Sequence, residues 1–290
     1  MLNAKNENII INGHDFDYIS FGSGRDVLIM LPGVGDGFKT AKGMAVPFAF
    51  MYRMFAVSFR VYVFSRRNDL PDGFTSADMA DDLSNIMDAL DIGAAHIFGV
   101  SQGGMIAQQM AIRHPEKVKS LVLAVTAARP TRIMREALES WLLMAERNDY
   151  KGIMLDTAER SYTGMYLERG KRMNKLIALA KPKSYERFRI LCESCLSHDV
   201  YEDLPEIRCP VYIIGASLDR VLGPEASAEM HEVIPGSEIY MFEGYSHGVY
   251  EQAKDFNEMA LRWLWRQKLR EDRNAKKRVK PKMYTERTCL

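Results

Sequence analysis

Three residues of this chain could together do covalent chemistry: Ser101, Asp219 and His247. A serine hydroxyl is a poor nucleophile near neutral pH. It needs a base to take its proton, and the base needs an acid to orient it. Ser101 stands in Gly99-Val100-Ser101-Gln102-Gly103, with a second glycine at Gly104. The spacing G-x-S-x-G between a strand and a helix is the pattern of a sharp turn that lifts a serine clear of a sheet. Such a turn crowds the positions two before and two after the serine, and Gly99 and Gly103 suit them. The helix that starts beneath the hydroxyl favours developing negative charge. In that arrangement the acid follows the serine in the chain and the histidine comes last. Asp219, in Ala216-Ser217-Leu218-Asp219-Arg220, and His247, in Gly244-Tyr245-Ser246-His247-Gly248, have that order. The other histidines, His14, His96, His114, His198 and His231, fall in turns, in helices or at the start of a strand.

Acyl chemistry also needs two backbone N–H groups aimed at the oxyanion. The amide of Gln102, next after the serine, is one candidate. The other is Val34, with Gly35 as the alternative, in the glycine-rich run Pro32-Gly33-Val34-Gly35-Asp36-Gly37.

The elements that position these groups read as alternating strands and helices. Two strands between Asn8 and Phe21 join across Asn12-Gly13, a hairpin signal. Asp26–Leu31 and Val118–Val125 are continuous apolar runs, as expected of strands buried on both faces. Strands are also predicted at Arg60–Phe64, in the run entering the elbow, at Cys209–Gly215 and at Glu238–Phe242. Helices are predicted over Met44–Ser58 with a break near Pro47, over Ser76–Leu90, after Ser101, at Glu225–Val233 and at Phe256–Trp265. Ser76–Leu90 carries Met79, Leu83, Ile86, Met87 and Leu90 on one face. From Thr131 to about Asp199 the pattern is helical without a strand. The whole reads as a doubly wound, mostly parallel sheet with a helical insertion over the strands' carboxyl ends.

Composition narrows the function classes. The 290 residues carry a net charge of +1, which calls for neither nucleic acid nor an anionic membrane overall. The charge is unevenly spread: from Arg266 onward there are ten Lys/Arg against three Asp/Glu. Four cysteines without framework spacing point to a reducing compartment. No run is long enough to span a membrane and no leader-like apolar segment opens the chain. The expectation is a cytoplasmic protein, monomer or homodimer, with a small, largely apolar substrate. In the insertion, Trp141, Tyr162 and Tyr166 are candidates to line a pocket with Gly35. Cys192, Cys195 and His198 make too thin a set for zinc, so no metal site is assigned.

Together these motifs resemble the α/β-hydrolase superfamily. The likeness runs from about Ile9 to Leu269, carried by LPGVGDG, FGVSQGGMIAQQMAIRHPEKVKSLVLA, the Asp219 loop and GYSHGVYEQ. It implies an α/β fold whose eight-stranded, mostly parallel sheet carries a helical cap after the sixth strand. Residues 1–128 and 204–270 would form the core, 129–203 the cap and 271–290 a mobile basic tail. It also implies an acyl-serine intermediate and no cofactor. Two local patterns depart from the family. Pro32-Gly33 stands where many members have His-Gly, and Ser65-Arg66-Arg67-Asn68-Asp69 keeps an arginine but lacks the usual glycines. The same triad in this family also serves carbon–carbon bond hydrolysis and a menaquinone-synthesis lyase step, and the fold serves as a ligand receptor.

Overall fold

The structure, a computed structural model, describes residues 2–177 and 181–278. Strands β1 (Lys5–Ile11) and β2 (His14–Phe21) pair antiparallel. Asn12 and Gly13 both take positive φ (52° and 84°), the conformation that a two-residue hairpin with matching twist requires. Then follow β3 (Asp26–Leu31), α1 (Ala45–Met51), β4 (Phe59–Phe64), α2 (Ser76–Ala89), β5 (Ala95–Val100), α3 (Gln102–Arg113) and β6 (Val118–Ala124). Among the described residues, four α-helices separate β6 from the next strand: α4 (Arg132–Glu146), α5 (Tyr150–Ser161), α6 (Gly164–Ile177) and α7 (Glu186–Leu196). The chain ends with β7 (Val211–Ala216), α8 (Glu225–Val233), β8 (Glu238–Phe242), α9 (Val249–Gln252) and α10 (Phe256–Arg278).

The eight strands form one sheet in the order β1-β2-β4-β3-β5-β6-β7-β8. β2 pairs antiparallel with β4, and every later pair is parallel. The α/β, mostly parallel expectation is therefore met. Successive residues of the central strands divide between two cores. Ile29, Leu31, Ile97, Leu121, Leu123 and Ile213 pack on the side of α2 and α3. Leu28, Met30, Phe98, Val122, Ala124 and Ile214 pack on the side of α1 and α10. Burial on both faces explains why these strands are continuous apolar runs without alternation.

The topology also dictates where a site forms. From β3 the chain winds outward to β4, then returns to place β5 on the other side of β3. Leu31 of β3 lies opposite Gly99 of β5, so the loops leaving these two neighbours depart in opposite directions. The carboxyl ends of two such strands leave a crevice between them, the usual ligand position in an open α/β sheet.

Helix starts follow their sequence signals. Thr75 and Asp78 form a reciprocal capping box at α2, with Asp78 N donating to Thr75 Oγ1 (3.2 Å) and Thr75 N to Asp78 Oδ2 (2.8 Å). Two expectations need correction. The helix predicted to break at Pro47 instead contains it, because a proline in the first turn has no intrahelical N–H to lose; α1 ends after Met51. The last helix runs unbroken from Phe256 through Arg278, across residue 271 where the tail was expected to begin. Residues 279–290, the rest of the expected tail, lie outside the described residues. Among the described residues no helix is long and apolar enough to cross a membrane.

Candidate active site

Ser101 leaves β5 with φ 55° and ψ −123°, outside the regions that residues with a side chain readily adopt. The neighbouring backbone holds it there. Its N–H donates to Ala124 O (3.0 Å), and Thr126 Oγ1 donates to Ser101 O (2.7 Å). Val125, also at positive φ (40°), donates to Ile214 O (2.8 Å), so the strain is shared by the adjacent strand end. The glycines around the serine answer steric demands. A Cβ on Gly99 would lie 2.3 Å from Gly103 O, and one on Gly103 would lie 1.9 Å from Leu31 O.

His247 and Asp219 come from the loops after β8 and β7. His247 Nδ1 lies 2.9 Å from Asp219 Oδ2, both side chains being buried. The other carboxylate oxygen accepts from the amides of Val221 (2.8 Å) and Leu222 (2.9 Å), which fixes the acid's orientation. Gly248 N donates to Ser161 O (2.7 Å), clipping the histidine loop to the end of α5. His247 and Ser101 line one cavity of about 570 Å³, and no hydrogen bond joins His247 to the Ser101 hydroxyl in this conformation. A serine–histidine contact of this kind is commonly loose until a substrate is bound.

The loop after β3 passes beside the serine: a Cβ on Gly33 would sit 3.2 Å from Ser101 Cβ. The amides of Val34, Gly35 and Gln102 have no acceptor among the described residues. For Gln102 this follows from its place in the first turn of α3.

Behind these amides lies a buried ionic network that the sequence reading missed. Asp36 accepts at Oδ2 from Arg187 Nη2 (2.5 Å) and from the Arg66 amide (3.1 Å). Arg187, on α7, also donates to Asp36 O (3.0 Å), Arg66 O (2.9 Å) and Arg67 O. Arg66 donates to Pro32 O and to Gln102 Oε1 (2.8 Å), and Gln102 Nε2 donates to Leu191 O and Ser194 Oγ on α7 (both 2.8 Å). Burial pulls the Arg66 pKa down from its ordinary value, and the Asp36 charge opposes that shift. The glycine-rich loop, the elbow helix and α7 are thus tied into one unit. No pattern in the sequence marks Arg187, which looks like any arginine on a solvated helix.

The cavity is mainly apolar, with Met30, Phe48, Phe98 and Met105 of the sheet side facing Leu138, Trp141 and Met154 of the insertion. Gly35, Trp141 and Tyr162 line it, and so does Val34. Tyr166 does not. Tyr162 is the extended residue that ends α5, whereas Tyr166 lies in the first turn of α6 and is exposed. Glu251 was not anticipated. It lines the cavity and accepts from the Tyr162 hydroxyl, and burial raises its pKa from the usual carboxylate value. Cys192 and Cys195 pack inside the apolar cluster of α4 and α7, where burial pushes the Cys195 thiol up to about 12. His198 points away from them to Ser76 Oγ (2.8 Å). Among the described residues no group of three or more His, Cys, Asp or Glu is placed to hold a metal ion.

A family model described as the alpha/beta hydrolase fold matches residues 26–254. The putative carbamate hydrolase RutD of Caulobacter sp. (strain K31) is 26% identical over 220 residues, covering 71% of this chain and 81% of that protein. The 3-oxoadipate enol-lactonase 2 of Acinetobacter baylyi is 28% identical over 180 residues, covering 61% of this chain and 66% of that one. Among solved structures, the enol-lactonase from Burkholderia xenovorans LB400 superposes with a TM-score of 0.74 at 22% identity. That alignment covers 89% of this chain and 99% of the other.

Proposed function

The chain belongs to the alpha/beta hydrolase family, a hydrolase family, and from that premise we propose that it cleaves a small ester, thioester or lactone through an acyl-serine intermediate. Ser101 Oγ attacks the acyl carbon while His247 takes its proton. The tetrahedral oxyanion is received by the amides of Val34 and Gln102. The intermediate collapses, His247 returns the proton to the leaving oxygen or sulfur, and water then repeats the sequence on the acyl-enzyme. Asp219 holds the imidazole with Nδ1–H toward itself and stabilises the imidazolium. The helices between β6 and β7 act as the cap, supplying the roof of the substrate cavity through Leu138, Trp141 and Met154.

One observation carries this reading: Ser101, held at φ 55° by surrounding backbone, lines the same cavity as a histidine already bonded to a buried aspartate. A strained residue is kept where its surroundings over-determine it, and such residues cluster at functional sites. The apolar lining favours an uncharged acyl group. The names carbamate hydrolase and enol-lactonase among the relatives accord with attack on an acyl carbon next to a heteroatom. A fluorophosphonate probe tests the proposal. Labelling of the folded protein that disappears in Ser101→Ala supports it. Absence of labelling, or labelling that survives that substitution, refutes the covalent-serine reading and favours a binding protein on this fold.

A further inference from the structure

α1 buries its alanines and turns Phe48 to the cavity, while its other large residues face outward. Ala45 and Ala49 are buried, while Val46, Phe50 and Met51 are 71%, 69% and 53% exposed; Val57, on the turn that follows, is 79% exposed. Trp265 and Leu269 of α10, also about half exposed, adjoin this patch: Trp265 Nε1 donates to Ser58 Oγ (2.7 Å), next in the chain to Val57. A contiguous exposed apolar face of this kind on a folded protein marks an interaction site.

The charges around it select the partner. Between Gly37 and Asn68 the chain has six Lys/Arg and no Asp/Glu. Lys39, Lys42, Arg53 and Arg60 of that stretch are exposed, and the Arg53 guanidinium rests 4.8 Å from the Phe50 ring centroid. Beside Trp265, Arg266 pairs with Glu238 (2.9 Å) and Lys268 with Asp26 (2.7 Å), so the cations that flank the face are those of the stretch around α1. Apolar side chains flanked on the α1 side by exposed cations, with a tryptophan at the margin, match the boundary between acyl chains and anionic headgroups. A second copy of the chain fits poorly, because a two-fold contact sets a patch against itself and would face cation with cation. The patch also meets the cavity: Met51 belongs to both, and Met44, Phe48 and Tyr52 beside it line the cavity that holds Ser101.

We propose that the face formed by α1, the Val57 turn and Trp265 docks this protein peripherally on an anionic lipid surface. The test is sedimentation of the full chain with vesicles of phosphatidylcholine alone and of phosphatidylcholine mixed with phosphatidylglycerol. Its readout does not depend on hydrolysis, so it stands apart from the assigned reaction. Binding to the mixed vesicles, weakened by salt, is expected. Phe50→Asp with Val57→Asp, and separately Lys42→Glu with Arg53→Glu, each lower the partition coefficient by at least about tenfold, since one cation at an anionic surface contributes roughly fivefold. Unchanged circular dichroism and melting show that the variants fold. No binding to the mixed vesicles at low salt overturns the proposal, as does equal binding by the folded variants. A concentration-dependent dimer that Phe50→Asp dissolves, in the absence of lipid, also overturns it and assigns the face to self-association.

Discussion

Replacing Arg187 by methionine removes the guanidinium that ties α7 to the glycine-rich loop while keeping much of the side-chain volume. Three hydrogen bonds to backbone oxygens and the ion pair to Asp36 disappear together. The Asp36 side chain is 1% exposed and its Oδ1 already lacks a partner, so the variant leaves a buried carboxylate without its cation. Breaking a buried pair from one side costs about 3–5 kcal/mol. The lower end applies here, because Arg66 stays close enough to feel the Asp36 charge and is relieved of the Arg187 charge. The expected loss is therefore about 3 kcal/mol, which a domain with 5–15 kcal/mol of typical stability survives. Adding Asp36→Asn removes the stranded charge and should restore at least about 2 kcal/mol, whereas Asp36→Asn alone destabilises. Urea unfolding of the four proteins gives the cycle, and the rate of fluorophosphonate labelling gives the effect on the site. A loss under about 1 kcal/mol in Arg187→Met, or no recovery in the double variant, refutes the argument that this pair fixes the loop.

Four further outcomes follow from the same structure. Ser101→Ala and His247→Ala should each cost nearly as much turnover as the double variant, on the order of 10⁶-fold as for triad members in subtilisin; independent, multiplying losses on the best ester found would sink the triad mechanism. His198 is buried with its pKa lowered to about 4 by desolvation, against 6.5 when unfolded, so its contribution to stability is complete above pH 6.5 and is lost as pH falls from 6.5 toward 4. His198→Gln should therefore remove roughly 3 kcal/mol from the acid loss of stability between pH 7 and pH 4, as one pKa unit is about 1.4 kcal/mol; parallel stability curves for the two proteins count against it. Asp82 acts in the opposite sense, since burial raises it to about 6 and its stabilising effect is lost as pH rises from 3.8 to 6. Gly103→Ala drives a methyl to within 1.9 Å of a main-chain oxygen of β3 and should cost at least about 3 kcal/mol, read as a lower urea midpoint; near-native stability would show that α3 and β3 can part more easily than the packing indicates.

Much of the fold was legible because both-face burial writes itself as unbroken apolar runs, as in Asp26–Leu31 and Val118–Ala124. The nearness of Ser101, Asp219 and His247 was legible for a related reason: each follows one of the parallel strands, whose carboxyl ends share one rim. What escaped depended on partners remote in the chain. Arg187 meets Asp36 across 151 positions, and nothing local to either residue records the meeting. Tyr166 failed differently. An aromatic residue on a helix carries no mark of which side faces the cavity; Tyr162, which does face it, belongs to the extended break before α6. Pro47 misled because a proline is a breaker only beyond the first helical turn.

The dependence of the site on β8 has a consequence for when reactivity first appears. β8 is a five-residue edge strand with one neighbour, β7, and the His247 loop hangs from its end. During synthesis the turn that carries Ser101 is made long before His247, the proposed base. Parallel pairing across a long insertion is also a slow event, since loop-closure entropy must be overcome before the contacts reward it. A nascent or half-refolded chain should therefore have helices, a partial sheet and an inert Ser101. In refolding experiments, recovery of probe labelling should lag behind recovery of ellipticity, with the lag timing the arrival of the edge strand.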